Sequence, residues 1–347
     1  MSTFIQQASQ FQDALTSKDC ELISNIEADF QNLFPLFEQQ SHHHNQTQEL
    51  VLAYNNLGKK MKAALEAEPN IHVYGFETPS LVHAEASRLI ARLRDKNTER
   101  PEFVYSIQRA YEMLFHFAFN LHRKQEKHHL LVETPVTQPV VNWAVHNIPN
   151  LDAELSHSVV CVLLRGALLP SLIMSKEIQE HTTNKYSTPF ALFRVKRNEE
   201  KMANNMEYIL DLKRSFFNLE DLHKKDLIFA DPMNATGGSL VTVVGFLRKQ
   251  GVHFSSVSSF HVITSFKGAL QTVRSIPEAR LYTLWLDPYL NQAAYILPGL
   301  GDAGDRLNGR DSVTNPRNIL QLLAGFGPSM MDLYRSQVAA LEKVVLG

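Results

Sequence analysis

This chain has only two cysteines, Cys20 and Cys161, and neither sits in a C-x-x-C pair or near a histidine at ligand spacing. That excludes a disulfide framework and a cysteine-ligated metal centre. It also lacks an excess of charge of either sign. Lys plus Arg number 34 against 36 for Asp plus Glu, so no global field holds nucleic acid or an anionic membrane, and any anionic ligand must be caught locally. No stretch approaches the roughly 20 apolar residues of a membrane span. The opening Met-Ser-Thr-Phe-Ile-Gln-Gln has neither the basic flank nor the apolar core of a leader. These absences set the expectation of a cytoplasmic protein that binds neither nucleic acid nor membrane. What is present is a hydrophobic content of 44% over 347 residues, ample for a buried core. Cys161, inside an apolar run, reads as part of that core.

Apolar residues from the start to about Pro69 recur at helical spacing, as at Phe11, Ala14 and Leu15 and again at Leu50, Leu57, Met61 and Leu65. The polar stretch Ser41 to Gln48 divides these helices. Its His42, His43 and His44 cannot share one face of a helix or strand, so a solvated loop fits them better than a metal site. Further helices are expected over Leu81 to Leu93 and after Pro101, where Val104, Ile107, Tyr111, Leu114, Ala118 and Leu121 form one stripe. The pattern then changes. Leu130 to Val132 is a short strand candidate, and Ser158 to Leu164, Asp226 to Ala230 and Val257 to Ile263 are continuous apolar runs of strand length. Such runs mark a parallel sheet covered on both faces. Leu240, Val243, Val244 and Leu247 give one face of a helix ending near Gly251. A helix around Gly268 to Val273 precedes a further strand at Leu281 to Leu286. The fold class is α/β, a largely parallel sheet flanked by helices with an N-terminal helical extension. The divisions are 1–75 for the extension, 76–310 for the α/β domain and 311–347 for a helical tail broken at Gly327-Pro328.

In Asp226-Leu-Ile-Phe-Ala-Asp231-Pro-Met-Asn-Ala-Thr-Gly-Gly-Ser239 a strand leads through an acid into a turn of small residues, and a helix follows. In open α/β sheets ligands gather at the carboxyl ends of strands. Small residues at Ala235, Thr236, Gly237, Gly238 and Ser239 let backbone N–H groups approach an anion, and the helix start adds its positive end. No Lys follows the glycines, so this is not a Walker loop, and it is not G-x-G-x-x-G. Taken alone, Gly237-Gly238 is equally compatible with a plain tight turn. Asp231, four residues ahead of the nest, is well placed for the hydroxyls of a sugar that carries the phosphate.

A second segment, Tyr295-Ile-Leu-Pro-Gly-Leu-Gly-Asp-Ala-Gly-Asp-Arg306, holds three glycines and two carboxylates between Gly299 and Arg306, too many for a regular helix or central strand. Alone it could be a structural loop. Less readily, taken alone, it could expose backbone donors and acceptors to a small planar amide-like base.

The string DPMNATGGS resembles the phosphoribosyl-pyrophosphate (PRPP) signature of the type I phosphoribosyltransferases. Specifically, it resembles the uracil-specific form, in which a single Asp precedes Pro-Met. Other members carry two adjacent acids, whereas here Ala230 precedes Asp231. The segment Tyr295 to Arg306 is similar, nearly residue for residue, to the uracil-recognition loop of that family, and the likeness extends over roughly Ser80 to Gly309.

The resemblance implies transfer of ribose 5-phosphate from PRPP to uracil, giving UMP and diphosphate with Mg²⁺. It assigns the 5′-phosphate to Ala235 through Ser239 and the ribose hydroxyls to Asp231. The backbone of Ile296, Gly301 and Ala303 would read uracil, and Asp302 would lie near the ribose-diphosphate and its Mg²⁺. Asp287 and Leu290-Asn291 also match. Leu164-Arg165-Gly166-Ala167-Leu168 resembles the pyrophosphate loop, with its two small residues reversed from the usual order. A second arginine is implied at Arg197, with Arg194 as the alternative, and Arg94 matches a further segment that adds charge. The implied catalytic set is thus Asp231, Arg165, Arg197 and Asp302, with no role for a cysteine or any of the 15 histidines. A homodimer or homotetramer is implied, with the Val104 to Leu121 helix as a candidate contact surface, and a GTP effector is left open. Departures at Gly166-Ala167, Asn234 and Phe266-Lys267 leave a second reading, a nucleotide-sensing protein that kept the fold and lost turnover.

Overall fold

The computed structural model describes residues 3–7, 13–40, 47–121, 126–136, 142–198, 200–202, 205–310, 317–325 and 334–347. Phe11, His42, His43, His44, Glu199, Leu333 and the Gly327-Pro328 break lie outside the described residues, and Ala14 and Leu15 lie in a turn ahead of the first helix and not in it. In chain order the strands are β1 (Thr3–Gln7), β2 (Ile71–Val73), β3 (Glu126–Glu133), β4 (Trp143–Asn150), β5 (Ser158–Leu164), β6 (Phe190–Arg197), β7 (Glu207–Phe216), β8 (Asp226–Ala230), β9 (Met233–Asn234), β10 (Ser256–Ser265), β11 (Ala279–Asp287), β12 (Tyr289–Leu290) and β13 (Ile296–Leu297).

The apolar runs form the centre of one sheet, ordered β1-β7-β6-β5-β8-β10-β11-β2. From β6 to β2 every neighbouring pair is parallel, and β7 and β1 add antiparallel strands at one edge. Every residue of β5 is buried, as the absence of polar alternation in SVVCVLL requires of a strand covered on both faces. Burial of Cys161 pushes its thiol far up, so it stays an inert core group. The connections β5 to β6, β8 to β10 and β10 to β11 each pass through a helix, respectively Leu168–His181, Gly238–Lys249 and Phe266–Ser275. Each therefore returns the chain to the same end of the sheet, and the strand-to-helix loops collect there.

The helix Arg100–His116 places Ile107, Tyr111 and Leu114 in this core, continued by Ala118. Its aromatic stripe is consumed inside the chain. Phe103, Tyr111, Phe115 and Phe117 are all buried among its own residues, so the stripe is core packing, and the face of this helix left to solvent is the one that carries Tyr105.

The first 75 residues are helical over Ser17–Gln31, Phe34–Gln40 and Thr47–Leu65, but they also contribute strands at both sheet edges. β1 pairs with β7, and β2 pairs with β11. Thr3–Gln7 alternates in exposure, as an edge strand does, and is too short for periodicity to distinguish. A second core joins the extension to the sheet: Ile23, Ile26, Phe30, Leu57, Met61 and Leu65 pack on Phe266, Leu270, Val273, Leu281 and Leu286. Arg274 reaches from this interface to Asp19 and Glu68.

Two strand readings change. Leu130 to Val132 belongs to the longer β3, which among the described residues pairs only with β4, in a separate antiparallel two-stranded sheet. The stretch that carries Arg194 and Arg197, given no element from the sequence, is β6 up to Arg197, because Phe190–Phe193 are buried beside β5. In the tail, helices Ile319–Ala324 and Arg335–Leu346 bury Ile319, Leu322, Leu323, Val338 and Leu341. No described helix is long and apolar enough to cross a membrane.

Candidate active site

The β8 strand delivers Asp231 to the ligand-bearing edge, where its amide donates to the Phe260 carbonyl at 3.0 Å. From there the chain turns into the small-residue loop. Gly237 takes a left-handed φ of 73° and caps the helix Gly238–Lys249, a conformation that a side chain would strain. Several neighbours fix this turn. The Asn234 amide donates to Gly268 O at 3.3 Å and to Thr272 Oγ1 at 3.1 Å, and Ser265 Oγ donates to Ala235 O. A Cβ on Gly268 would lie 2.5 Å from Ala235 O, and one on Gly238 would lie 2.1 Å from the Tyr208 ring. Thr236 Oγ1 is hydrogen-bonded to the Tyr208 hydroxyl and accepts the Gly238 amide at 3.3 Å. Asn234, a departure from the family string, is thus a buried tie between the loop and the next helix.

The glycine-rich segment forms the opposite wall. It starts as a small antiparallel pair, β12 with β13, closed by a turn in which Asn291 Oδ1 accepts the Ala293 and Tyr295 amides at 3.0 and 2.9 Å. Gly299 has a φ of 66°, and a Cβ there would sit 2.3 Å from Ile296 O. Its amide donates at 3.0 Å to Asp287 Oδ2. Asp302 then caps the helix Ala303–Asn308 by accepting the Asp305 amide at 2.8 Å. Arg306 anchors the end of the segment by donating to the carbonyls of Leu93, Leu300 and Asp95, with its guanidinium 4.0 Å from the Phe103 ring centroid. It is a strut for the loop.

Between the two walls lies a cavity of about 500 Å³, a size suited to a small ligand. Asp231 and Ala235 through Ser239 line one side; Ile296, Gly301, Asp302 and Ala303 line the other, with Arg197 at its margin. The two sequence-predicted segments therefore face one space. Arg197 donates to Ala294 O at 3.2 Å and lies 5.1 Å from the Tyr295 ring centroid. Arg194 is not among the lining residues, so of the two arginines it is Arg197 that borders this cavity.

The other arginines are placed differently. Arg165 is paired with Asp305 at 2.7 Å and donates to Gly309 O at 3.2 Å; the cavity wall holds its neighbour Gly166 instead. Gly166 faces Gly304, with room for an ordinary contact, so the reversed Gly-Ala order leaves an open floor. Arg94 makes two bonds to Asp287, at 2.5 and 3.2 Å. Its expected contribution of charge to the diphosphate side is corrected, since that charge neutralises a carboxylate with no exposed surface.

Two residues outside the sequence-derived set also line the cavity. Tyr208, buried behind the Ala235–Ser239 loop, positions Thr236. His261 donates Nδ1–H to the Asp231 carbonyl at 2.8 Å. No motif marks either residue. The signal available was a polar side chain inside or beside an apolar strand run at the ligand-bearing edge. Burial pushes the Asp231 carboxyl up to about 7, against a lowering bond from Met233. The same loss of water holds the His261 imidazole down at about 4.

Residues 80–309 match the family model described as uracil phosphoribosyltransferase. Among curated relatives, the uracil phosphoribosyltransferase of Dictyoglomus thermophilum is 31% identical over 231 residues, covering 65% of this chain and 96% of that protein. That of Geobacillus kaustophilus is 29% identical over 241 residues, covering 68% and 98%. Among solved structures, the AQ2163 protein of Aquifex aeolicus aligns with a TM-score of 0.47 at 22% identity, over 69% of this chain and 98% of that one.

Proposed function

Because this chain belongs to the uracil phosphoribosyltransferase family, and so is a phosphoribosyltransferase, we propose that it transfers ribose 5-phosphate from PRPP to N1 of uracil, giving UMP and diphosphate. The observation that carries this reading is the cavity in which Asp231 and the Ala235–Ser239 nest face the Ile296–Ala303 loop. A phosphate held by the nest and a base held by that loop would span the space between them, with the ribose passing Asp231. Residues 76–310 are the part assigned to this reaction.

The 5′-phosphate would accept hydrogen bonds from the N–H groups at the start of the helix Gly238–Lys249. Asp231 would accept the ribose hydroxyls. A carboxyl that burial has raised to about 7 gains most from such donors, because they replace the water it lacks. Uracil would be read at its edge by the backbone at Ile296, Gly301 and Ala303. Cytosine, altered at one exocyclic group, would leave a buried polar group mispaired.

Exposed Asp302 in the cavity wall, an oxygen ligand that uses Oδ1 for its cap, fits a hard cation carried by the diphosphate. When bound, Mg²⁺ would neutralise charge on the diphosphate. The protein's own part is positioning and electrostatic stabilisation of an oxocarbenium-like transition state, with Arg197 at the cavity margin and no covalent nucleophile.

A second reading, a nucleotide sensor without turnover, draws support from Arg165, which is committed to Asp305 and Gly309 O. One experiment separates the two: purified protein with Mg²⁺, PRPP and each nucleobase in turn. UMP formed from uracil alone is the expected result. PRPP binding with no nucleotide product would establish the sensor.

A further inference from the structure

We propose that His116, Glu177 and His181 form a binding site for a divalent transition-metal ion of the zinc type, separate from the cavity. Among the described residues these three bring one ligand atom each to within 4.8 Å of one another. Two packed helices supply them. Glu177 and His181 stand four apart in the last turns of the helix Leu168–His181, and His116 ends the helix Arg100–His116 against which it packs. Residues four apart on a helix share a face. Glu112 stands four before His116, so each helix presents a Glu-x-x-x-His face.

The tautomers favour coordination. His181 Nδ1 lies 2.9 Å from the Glu177 carbonyl, which can only accept, so the proton is on Nδ1 and Nε2 carries a free lone pair. A ring nitrogen fixed by a backbone carbonyl is the usual support of a ligating histidine. His116 Nδ1 is 2.7 Å from the Asn120 amide. That amide can present either end; with its oxygen toward Nδ1, His116 also offers Nε2. The two rings are 5.3 Å apart.

A tetrahedral ion with bonds of about 2.0–2.1 Å needs ligand atoms about 3.4 Å apart. For the ring nitrogens that come within 4.8 Å the closure required is at most about 1.4 Å, and Glu177 Oε2 already lies 3.7 Å from His181 Nδ1, so rotation of the exposed His116 and half-buried His181 rings must bring the ligating nitrogens round. Two imidazoles and one carboxylate select Zn²⁺ and its neighbours over Mg²⁺ or Ca²⁺, which prefer all-oxygen shells. Glu112 and Lys176 complete the charged surroundings. Glu112 is paired with Arg109 and Lys176 with Glu180, and burial together with Glu112 and Glu180 leaves the Glu177 carboxyl at about 7. A bound cation would compensate both carboxylates. The ion would pin two core helices together, about 20 Å along the helix from Leu168, where the pyrophosphate-side loop ends.

The test is calorimetric titration of the chelator-treated full chain with Zn²⁺, and with Mg²⁺ as control, alongside thermal melting. The expected result is about one Zn²⁺ bound per chain, no comparable Mg²⁺ binding at this site, and a Tm raised by roughly 3 °C or more at saturating ion. Titration of His116→Asn/His181→Asn should lose that equivalent. Glu177→Gln, which keeps both imidazoles, should bind at least about tenfold more weakly. Circular dichroism confirms that the variants are folded, and the single Glu177 variant decides the matter if the double variant is not. Absence of a Zn²⁺ equivalent in the parent chain, or the same uptake in a folded variant, would overturn the proposal. Neither result depends on transferase activity, so failure here leaves the functional reading intact.

Discussion

His261 donates its Nδ1 proton to the backbone carbonyl of Asp231 across 2.8 Å, and the two side chains respond to burial in opposite directions. Asp231 is raised to about 7, so between its ordinary value near 4 and pH 7 the folded state holds the extra proton and stability falls as pH rises. His261 is lowered to about 4, so between pH 4 and its ordinary value near 6.5 the unfolded state holds the extra proton and stability rises with pH. The two slopes oppose each other in one window. Asp231→Asn should leave a profile that rises from pH 4 to 6.5, and His261→Gln one that falls from pH 4 to 7, each by on the order of 3 kcal/mol. Denaturant unfolding across pH 4–8 measures both. Parallel profiles in the two variants would contradict the assignment.

Asp231→Asn should also remove most turnover, by about 100-fold or more, because the ribose hydroxyls lose a charged acceptor in a water-poor site. The fold should be retained. Full activity in a folded variant would show that Asp231 does not hold the sugar.

The Ile296–Ala303 wall of the cavity depends on Asp287, which takes two bonds from Arg94 and one from the Gly299 amide. Asp287→Ala leaves the guanidinium unpaired and the loop amide without its acceptor. Loss of about 2–4 kcal/mol is expected, below the cost for a fully buried pair because the Arg94 side chain keeps 19% of its surface exposed. KM for uracil should rise more than KM for PRPP, and steady-state kinetics with each substrate varied reads the difference.

Gly268 is the corresponding point behind the Ala235–Ser239 wall. A methyl group at this position meets Ala235 O at 2.5 Å and Asn234 O at 2.7 Å, and backbone cannot swing aside as a flexible side chain would. Gly268→Ala should cost about 1–3 kcal/mol and raise KM for PRPP, leaving KM for uracil nearly unchanged.

Arg274 ties the N-terminal helices to the sheet through Asp19 and Glu68. Burial opposes ionisation of Asp19, yet Arg274 and Thr16 hold its carboxyl below the ordinary range. Arg274→Ala should destabilise this interface by about 2–4 kcal/mol, seen as faster hydrogen exchange over Ser17–Leu65 than over β5 and β8. The depressed Asp19 value means this stabilisation is present above about pH 4 and fades below it.

Much of this was written locally in the chain. Uninterrupted apolar runs of strand length such as Ser158–Leu164 suit strands buried on both faces. The Asp231–Ser239 and Tyr295–Arg306 strings carry their own backbone requirements in their glycines. The edge strand Thr3–Gln7 and the pairing of β3 with β4 were not legible, since a short alternating segment takes its meaning from the partner that covers one face.

The sequence by itself determined the sheet's centre, the Asp231–Ser239 turn and the Tyr295–Arg306 loop, because each depends on the conformations available to contiguous residues. Only the tertiary structure decided which charges face the cavity. Arg197 lines it, while Arg165 meets Asp305, 140 residues away, and Arg94 meets Asp287, 193 residues away. A guanidinium side chain can reach a ligand or a carboxylate equally well. Which one it pairs with is fixed by what the fold carries to within a few ångströms, and residue type and local spacing do not encode that.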